Sequence, residues 1–299
     1  MSVLLGIDIG GTAVKAGLVD ETGAILLSET RSVDFDGYRT PILTTVTALA
    51  RELLEKSPEK PAGIGVSATG QIDVRSGTVI GVGASLGNWL GSEIARTLGD
   101  AFDLPVTVIN DANAAALGEQ RYGRARGMEN VLVVTVGTGV GGGIIMDGDI
   151  YAGKGAGGSE LGHMVIVENG EPCTCGRKGC LEAYASAAAL KRDARRASGK
   201  DLEPEEIFGR AAQGDPVMQA VRDTYIRRLG LGIANIVNIF RPQLVLLGGG
   251  ISAQGETLLA PLRRIVQEEC FGGEKNDVPE IEAAVLGNDA GMIGAAGLV

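Results

Sequence analysis

Near its start the chain reads LLGIDIGGT at residues 4–12, an apolar run that ends in a carboxylate, two glycines and a threonine. Two further apolar runs follow within residues 14–30, so this region predicts three short strands that are joined by turns. A similar pattern returns at residues 131–146, where an apolar run meets a glycine-rich turn and a second apolar run. At an offset of 127 residues Gly10 aligns with Gly137, which indicates a weak internal repeat of strand, glycine turn and strand.

The composition excludes a disordered chain and indicates a folded protein that makes heavy use of glycine. Of the 299 residues 44% are hydrophobic and 21% are charged, and the length suggests two domains at roughly 150 residues each. Glycine contributes 47 residues, well above its usual share of about 7%. We therefore expect glycine in tight turns and at close approaches of the backbone.

The charge and the N-terminal sequence narrow the choice of partners and compartment. A net charge of −10 argues against a broad DNA- or RNA-binding surface, which needs clustered Lys and Arg. The residues before Asp8 lack the basic region of a signal peptide, and the apolar stretch at 130–146 is short and interrupted by glycine. We expect a cytoplasmic protein that binds neither nucleic acid nor a membrane.

Three glycine-rich turns, at residues 8–12, 137–143 and 248–250, each follow an apolar run. Any one of them fits an ordinary hairpin turn, but three in one chain favour a phosphate-binding role, since glycine lets backbone N–H groups approach anionic oxygens. The chain has no P-loop, and the second turn lacks the following helix that a dinucleotide-binding fold requires. We expect two hairpins to hold the phosphates of a nucleotide. Asp8 would then lie near the metal ion that accompanies the nucleotide, and Thr12 would bind a phosphate oxygen.

A second expectation is a metal site built from the only histidine and three of the four cysteines. His163 is followed by Cys173, Cys175 and Cys180, and one imidazole with three thiolates completes a tetrahedral zinc set. Because protein fills all four positions, the zinc would be structural and would activate no water. The alternative, a set of buried small side chains, explains the clustering poorly, whereas Cys270 lies outside the cluster and is expected to be merely buried.

Two carboxylates border this cluster, at Glu160 and Glu182. If zinc fixes the loop it also fixes these acceptor-only side chains, which suits the recognition of sugar hydroxyls. Without the metal, two exposed surface glutamates would be an equally good interpretation.

Between the two glycine turns, the sequence NDANAAA at residues 110–116 places Asn110 and Asp111 where a strand ends and a helix begins. Asp111 is therefore a candidate catalytic carboxylate, and the alternative is that either residue only caps the helix.

These motifs together resemble the ROK family (repressors, open reading frames and kinases) of the actin/hexokinase-like ATPase superfamily. The resemblance runs over essentially the whole chain, and its most specific part is ELGH at residues 160–163 followed by CTCGRKGCLE at 173–182. It implies a two-domain α/β, ribonuclease-H-like ATPase fold with an interdomain cleft. It also implies ATP-dependent phosphorylation of a hexose-type sugar, usually at the 6-hydroxyl, with Mg²⁺ as the catalytic metal.

The family pattern assigns a role to each candidate residue of this chain, with Asp111 as the catalytic base. The sugar hydroxyls fall to Asn110, Asp111, Glu160, His163 and Glu182, with His163 also ligating zinc beside Cys173, Cys175 and Cys180. The nucleotide falls to Asp8, Gly10, Gly11, Thr12, Thr138, Gly139, Gly249 and Gly250. Lys15 either adds positive charge to the first phosphate turn or is a solvated surface residue.

The loop ASLGNWLG at residues 84–91 leaves the identity of the sugar open. Glucokinase-like members often carry an asparagine a few residues before the tryptophan of this loop, whereas here Ser85 occupies that place and Asn88 lies nearby. Both are candidate sugar-binding residues. This loop, together with GQID at 70–73, also resembles the branch that acts on N-acetylmannosamine or β-glucosides.

Apolar runs predict strands at residues 4–9, 14–20, 24–30, 63–67, 105–109, 131–136, 144–146, 243–247 and 281–286. Apolar periodicity predicts helices at residues 40–54, 92–102, 111–122, 184–197, 215–240 and 256–270. We expect Asp215 and Pro216 to begin the longest of these helices and Asp289 to cap a final apolar helix.

We expect residues 1–117 with 288–299 to form a small domain that carries the first phosphate turn and Asp111. Residues 118–287 would then form a large domain with the zinc site and the second turn. Family analogy suggests a homodimer.

Two other functions remain open, a sugar-sensing ROK regulator and a non-catalytic sugar-binding protein. A regulator would carry a DNA-binding segment before the first turn, where only seven residues precede Asp8.

Overall fold

The computed structural model describes residues 3–82, 86–273 and 278–299, and these divide into two compact units. The first unit spans residues 1–128, 143–159 and 286–299. The second spans residues 129–142 and 160–285. The domain boundaries expected from the sequence stay a prediction.

The first unit contains a five-stranded sheet and a separate two-stranded hairpin. In chain order the strands are β1 (Val3–Ile9), β2 (Ala13–Asp20), β3 (Ile25–Ser32), β4 (Ile64–Ala68), β5 (Gln71–Asp73), β6 (Thr78–Gly81) and β7 (Val106–Asn110). The sheet has the order β3-β2-β1-β4-β7, in which β1, β2 and β3 are antiparallel and β4 and β7 run parallel to β1. The predicted strands of this sheet are confirmed, whereas the short hairpin of β5 and β6 was not predicted.

Three helices of the first unit follow the predicted pattern, namely α1 (Ile42–Glu55), α2 (Ile94–Phe102) and α3 (Asp111–Tyr122). The apolar stripe of α1 buries Val46, Leu49 and Leu53 in the core that it shares with the sheet. Each such side chain contributes about 1.5–3 kcal/mol relative to an exposed position. This core fixes the sheet edge at which β1, β4 and β7 end.

The second sheet repeats the strand order of the first. Its strands are β8 (Val131–Val136), β9 (Val140–Met146), β10 (Asp149–Ile150), β11 (Leu244–Gly248) and β12 (Glu280–Ala283), in the order β10-β9-β8-β11-β12. In both sheets the third, second, first, fourth and fifth strands of the set lie side by side. The weak repeat between Gly10 and Gly137 therefore extends to the topology of two whole sheets.

The helices of the second unit are α4 (Glu182–Ala185), α5 (Ala187–Ser198), α6 (Pro204–Ala212), α7 (Pro216–Phe240) and α8 (Glu256–Glu269). The sequence predicted one helix over residues 184–197, but the chain breaks at Ser186, whose hydroxyl caps α5 by accepting the N–H of Ala189. The prediction of α7 is confirmed, because Asp215 caps it by accepting the backbone N–H groups of Val217 and Met218. Helix α6 was not predicted.

The last helix, α9 (Ala290–Ala296), belongs to the first unit and packs against α3, β1 and β4. The approach is close because both helices present small residues: a Cβ on Gly294 would lie 1.8 Å from the carbonyl oxygen of Ala114. The expectation that Asp289 caps α9 with its side chain is wrong, since no such hydrogen bond forms and Asp289 instead pairs with Lys15.

Within the described ranges, no helix combines the length and the apolar character that crossing a bilayer would need.

Candidate active site and metal centre

The first glycine turn joins β1 to β2 and is supported by the residues around it. The N–H of Gly10 donates to the carbonyl oxygen of Ala13 at 2.9 Å, and the hydroxyl of Tyr38 donates to the carbonyl oxygen of Gly11 at 2.7 Å. Thr12 is exposed at the end of the turn. A fixed backbone with an exposed hydroxyl is the arrangement that a phosphate-binding turn requires.

Asp8 lies near the end of β1, where the strand register sets it between Lys15 on β2 and Ser67 on β4. The hydroxyl of Ser67 donates to Asp8 Oδ1. Burial of the carboxyl group raises the pKa of Asp8, and the Ser67 hydrogen bond and the charge of Lys15 oppose that effect. Asp8 is thus a carboxylate in surroundings that favour a nearby cation, as expected of a residue close to Mg²⁺.

Lys15 forms an ion pair with Asp289, and both side chains are partly buried. Lys15 is therefore a partly buried lysine whose ammonium group is paired with a carboxylate of the same unit. A contact of Lys15 with phosphate stays a prediction.

Asn110 and Asp111 divide the roles of cap and carboxylate at the start of α3. Asn110 Oδ1 accepts the N–H groups of Ala112 at 3.0 Å and Asn113 at 3.3 Å, and its amide donates to the carbonyl oxygen of Gly70 at 3.0 Å. Asp111 is the first helical residue, and its Oδ1 accepts the N–H of Ala112 at 2.8 Å. Asn110 is therefore the N-cap residue of α3, and Asp111 places a carboxylate in its first turn.

Of the two candidates in the loop at 84–91, Ser85 lies outside the described residues. Asn88 is exposed in a 3₁₀ turn, and its amide donates to the carbonyl oxygen of Tyr38 at 3.4 Å. The neighbouring Trp89 is fully buried and donates its indole N–H to the carbonyl oxygen of Thr69 at 2.9 Å. Trp89 therefore anchors the loop, which leaves Asn88 at the surface.

The predicted metal ligands His163, Cys173, Cys175 and Cys180 come together in the second unit, with one ligand atom of each within 4.8 Å of all the others. Cys175 Sγ and Cys180 Sγ are 3.7 Å apart, and Cys173 Sγ lies 3.6 Å from His163 Nδ1. A tetrahedral zinc ion at its ordinary bond lengths separates two sulfurs by about 3.8 Å, and a sulfur from a nitrogen by about 3.5 Å. The donor set and its spacing therefore fit Zn²⁺.

The cysteine loop, residues 173–180, owes its shape to two glycines with left-handed backbone. Gly176 has φ of 85° and Gly179 has φ of 81°. A Cβ on Gly179 would lie 1.8 Å from the carbonyl oxygen of Val167. The loop also tunes its thiols, because the N–H and guanidinium of Arg177 lower the pKa of Cys175 to about 6, while burial raises the pKa of Cys180.

Glu182, at the start of α4, links the cysteine loop to the second glycine turn within the second unit. Its Oε1 accepts the hydroxyl of Thr174 at 2.7 Å, and its Oε2 accepts the N–H of Val140 at 3.2 Å. A Cβ on Gly139 would lie 2.5 Å from Glu182 Oε2. Thr138 is exposed on the same turn.

Glu160 immediately precedes the 3₁₀ turn Leu161–His163, and its carbonyl oxygen accepts the N–H of His163 at 3.0 Å. The third glycine turn lies at the end of β11, where Gly249 has φ of 80° and a Cβ on it would lie 2.3 Å from the carbonyl oxygen of Val136. Gly249 and Gly250 therefore lie beside the end of β8, next to the second turn.

Sequence reasoning missed four residues that support these groups: Tyr38, Ser67, Thr174 and Asp289. Each acts through one side-chain contact across the fold, and a single hydroxyl or carboxylate gives no spacing signal along the chain. The register of β1 against β4 would have identified Ser67 once the parallel pairing was known.

Comparison with known proteins gives consistent findings. The model of the ROK family matches residues 4–299. A glucokinase of Thermotoga maritima is 34% identical over 99% of this chain and 96% of its own length. The crystal structure of a ROK family glucokinase from Streptomyces griseus in complex with glucose and AMPPNP has a TM-score of 0.87 and 33% identity, covering 100% of this chain and 99% of that one. A putative xylose repressor of Caldicellulosiruptor sp. is 31% identical over 100% of this chain and 78% of its own length.

Proposed function

The chain belongs to the ROK family and is an ATP-dependent sugar kinase with the actin-like ATPase fold, and on that premise we propose that it phosphorylates the 6-hydroxyl of a hexose. Glucose is the first candidate, because a glucokinase is 34% identical over nearly the whole length and the Streptomyces griseus enzyme was crystallised with glucose. The observation that carries the proposal is the start of α3. There Asn110 caps the helix, and Asp111 places a carboxylate at its first position.

Asp111 would act as the base for the attacking hydroxyl. Phosphoryl transfer has a loose transition state, so the protein contributes mainly positioning and charge. A carboxylate that orients the hydroxyl and accepts its proton late in the reaction is sufficient. The start of α3 holds Asp111 in place.

The nucleotide would be bound by the glycine turns. The supported turn at Gly10 and Gly11, whose Gly10 N–H is bonded to Ala13, presents the exposed hydroxyl of Thr12, with Asp8 close to Mg²⁺. Thr138 and Gly139 form the corresponding turn of the second unit, beside Gly249 and Gly250. When bound, Mg²⁺ would neutralise charge on the phosphates, with Asp8 supplying carboxylate oxygen toward the ion and the turns facing the phosphate oxygens.

The candidate residues for the sugar hydroxyls are Glu160, His163, Glu182, Asn110, Asp111 and Asn88. We propose that Zn²⁺ occupies the four-ligand site formed by His163 and the three clustered cysteines. When bound, the ion has no open coordination position, so it stabilises the loop and takes no part in the chemistry. The loop in turn carries the residues that surround Glu182.

A coupled assay of ADP formation tests the proposal with a panel of glucose, N-acetylmannosamine, fructose, allose and a β-glucoside. We expect the highest kcat/KM with glucose. Asp111→Asn should lower kcat by about 100-fold or more, the usual contribution of a catalytic base. Asp100→Asn, which makes the same change on the exposed face of α2, should leave kcat unaltered.

Equal turnover by Asp111→Asn and the unsubstituted protein would contradict the role of Asp111, and preference for another sugar would contradict the choice of glucose.

The similarity to a putative xylose repressor supports one second candidate, sugar binding without catalysis. Sugar binding in calorimetry, with no sugar-dependent consumption of ATP, would favour that alternative. We also propose a homodimer, which sedimentation velocity tests.

A further inference from the structure

The carboxylate of Glu182 receives hydrogen bonds from two separate segments of the second unit. The N–H of Val140, at the start of β9, reaches Oε2 at 3.2 Å. The hydroxyl of Thr174, near the start of the cysteine loop, reaches Oε1 at 2.7 Å. Neither contact is local, since Val140 is 42 residues and Thr174 is 8 residues away along the chain.

These contacts matter because Glu182 lies in a helix of only one turn. Glu182 begins α4, a helix of four residues whose N-terminal position makes no side-chain capping bond. One helical turn gives a glutamate side chain little rotational restraint, since several of its side-chain torsions stay free. The orientation of the carboxylate therefore depends on the donors that reach it.

The Thr174 hydroxyl reaches Glu182 at the border of the proposed metal site. Cys173 Sγ, which belongs to the set that we assign to zinc, lies 3.7 Å from the same Oε1 that accepts the Thr174 hydroxyl. The cysteine loop therefore places the Thr174 hydroxyl directly against the carboxylate of Glu182.

We propose that Thr174 is a positioning residue for sugar recognition, whose hydroxyl fixes the carboxylate of Glu182 in the orientation that binds the sugar. The inference rests on the proposed function, in which Glu182 accepts sugar hydroxyls. Thr174 is itself exposed and is not a predicted metal ligand, so its side chain can be changed without removing a donor to the metal. Its effect should appear in the KM for the sugar more than in the KM for ATP.

The test compares Thr174→Val, Thr174→Ser and Thr224→Val in the coupled assay, with zinc content measured on each protein. Valine keeps the shape of threonine and removes the hydroxyl, serine keeps the hydroxyl, and Thr224 is an exposed residue of α7 that serves as the matched control. We expect Thr174→Val to raise the KM for the sugar about three- to tenfold, less than the usual effect of a hydrogen bond to a charged group, because water can partly replace this exposed hydroxyl. The KM for ATP should change less than about twofold and the zinc content should be unaltered, while Thr174→Ser and Thr224→Val behave like the unsubstituted protein.

Three outcomes would overturn the inference. An unchanged KM for the sugar in Thr174→Val would show that the hydroxyl does not position Glu182. Loss of zinc, or equal changes in both KM values, would assign Thr174 a structural role in the loop. Absence of sugar-dependent turnover in the unsubstituted protein would remove the proposed function together with the inference, whereas normal turnover with an unaffected Thr174→Val variant would remove the inference alone.

Discussion

At the scale of single residues, the candidate site depends on side chains that hold other side chains. Asn110 caps α3 and so leaves Asp111 as an additional carboxylate, while Ser67 donates to Asp8 and Thr174 donates to Glu182. In all three cases the predicted chemical group is an acid with a polar, uncharged residue beside it. The acids and Asn110 could be predicted from motifs, but Ser67 and Thr174 required the fold.

The raised pKa of Asp8 predicts that ionisation of this carboxyl group lowers the stability of the nucleotide-free protein in a pH-dependent way. Its folded-state pKa lies above the ordinary value of 3.8, so the penalty is absent below pH 3.8, grows as the pH rises from 3.8 toward the folded-state pKa, and is fully present above that pKa. Asp8→Asn removes the ionisable group and should raise the Tm at pH 7 without nucleotide. The gain should shrink as the pH is lowered toward 3.8.

Thermal unfolding of both proteins across this pH range checks the prediction. A lower Tm for Asp8→Asn at pH 7 would contradict it. The same variant should also weaken nucleotide binding in the presence of Mg²⁺, because Asp8 is proposed to lie close to that ion. Stability and nucleotide affinity should therefore move in opposite directions.

At the scale of elements, the cysteine loop should depend on a metal ion. Purified protein should contain about one zinc per chain, as four protein donors imply. Cys175→Ser removes a ligand and should reduce both the zinc content and the Tm. Cys270→Ala is the matched control, because Cys270 is buried in the same unit outside the cluster and its substitution should lower stability while zinc is retained.

Elemental analysis of the folded proteins provides the measurement. Retention of a full zinc equivalent by Cys175→Ser would contradict the assignment of that ligand. An unsubstituted protein that is folded and contains no stoichiometric metal would contradict the site as a whole.

The packing of α3 on α9 gives a second prediction for an element. A Cβ on Gly294 would lie 1.8 Å from the carbonyl oxygen of Ala114, so Gly294→Ala forces the two helices apart and should destabilise the protein by about 2–4 kcal/mol. Gly209→Ala makes the same change inside α6, where a Cβ would meet nothing within 4 Å. It should stabilise the protein by up to about 1 kcal/mol through helix propensity.

Chemical denaturation of the two variants decides this comparison. Equal effects of the two substitutions would contradict the close approach of α3 and α9. Because α3 carries Asp111, a partly separated helix pair should also lower kinase activity in Gly294→Ala, while Gly209→Ala retains it.

The elements also show which patterns a sequence reveals. Short apolar runs predicted most strands of both sheets, and Asp215 followed by Pro216 predicted the start of the long α7. The hairpin of β5 and β6 has strands of three and four residues, too short for a clear period. The break at Ser186 escaped because a serine inside an apolar pattern fits a continuous helix as well as the cap of a second one.

At the scale of the whole molecule, the described residues contain two five-stranded sheets with the same strand order, each with a glycine turn between its first two strands. The sequence repeat predicted the two hairpins because their turns need glycine. It predicted nothing of the parallel strands β4, β7, β11 and β12 as members of matching sheets, since pairing over long separations leaves no local pattern. The family resemblance supplied that part, and the match over residues 4–299 agrees with it.

The central claim is that Asp111 holds the attacking hydroxyl of a hexose during transfer of the terminal phosphoryl group of ATP. The most direct measurement is a crystal structure of the protein with Mg²⁺, glucose and a non-hydrolysable ATP analogue. The account predicts a carboxylate oxygen of Asp111 within about 2.6–3.2 Å of the 6-hydroxyl oxygen. A complex in which the sugar is bound and Asp111 contacts none of its hydroxyl groups would contradict the account.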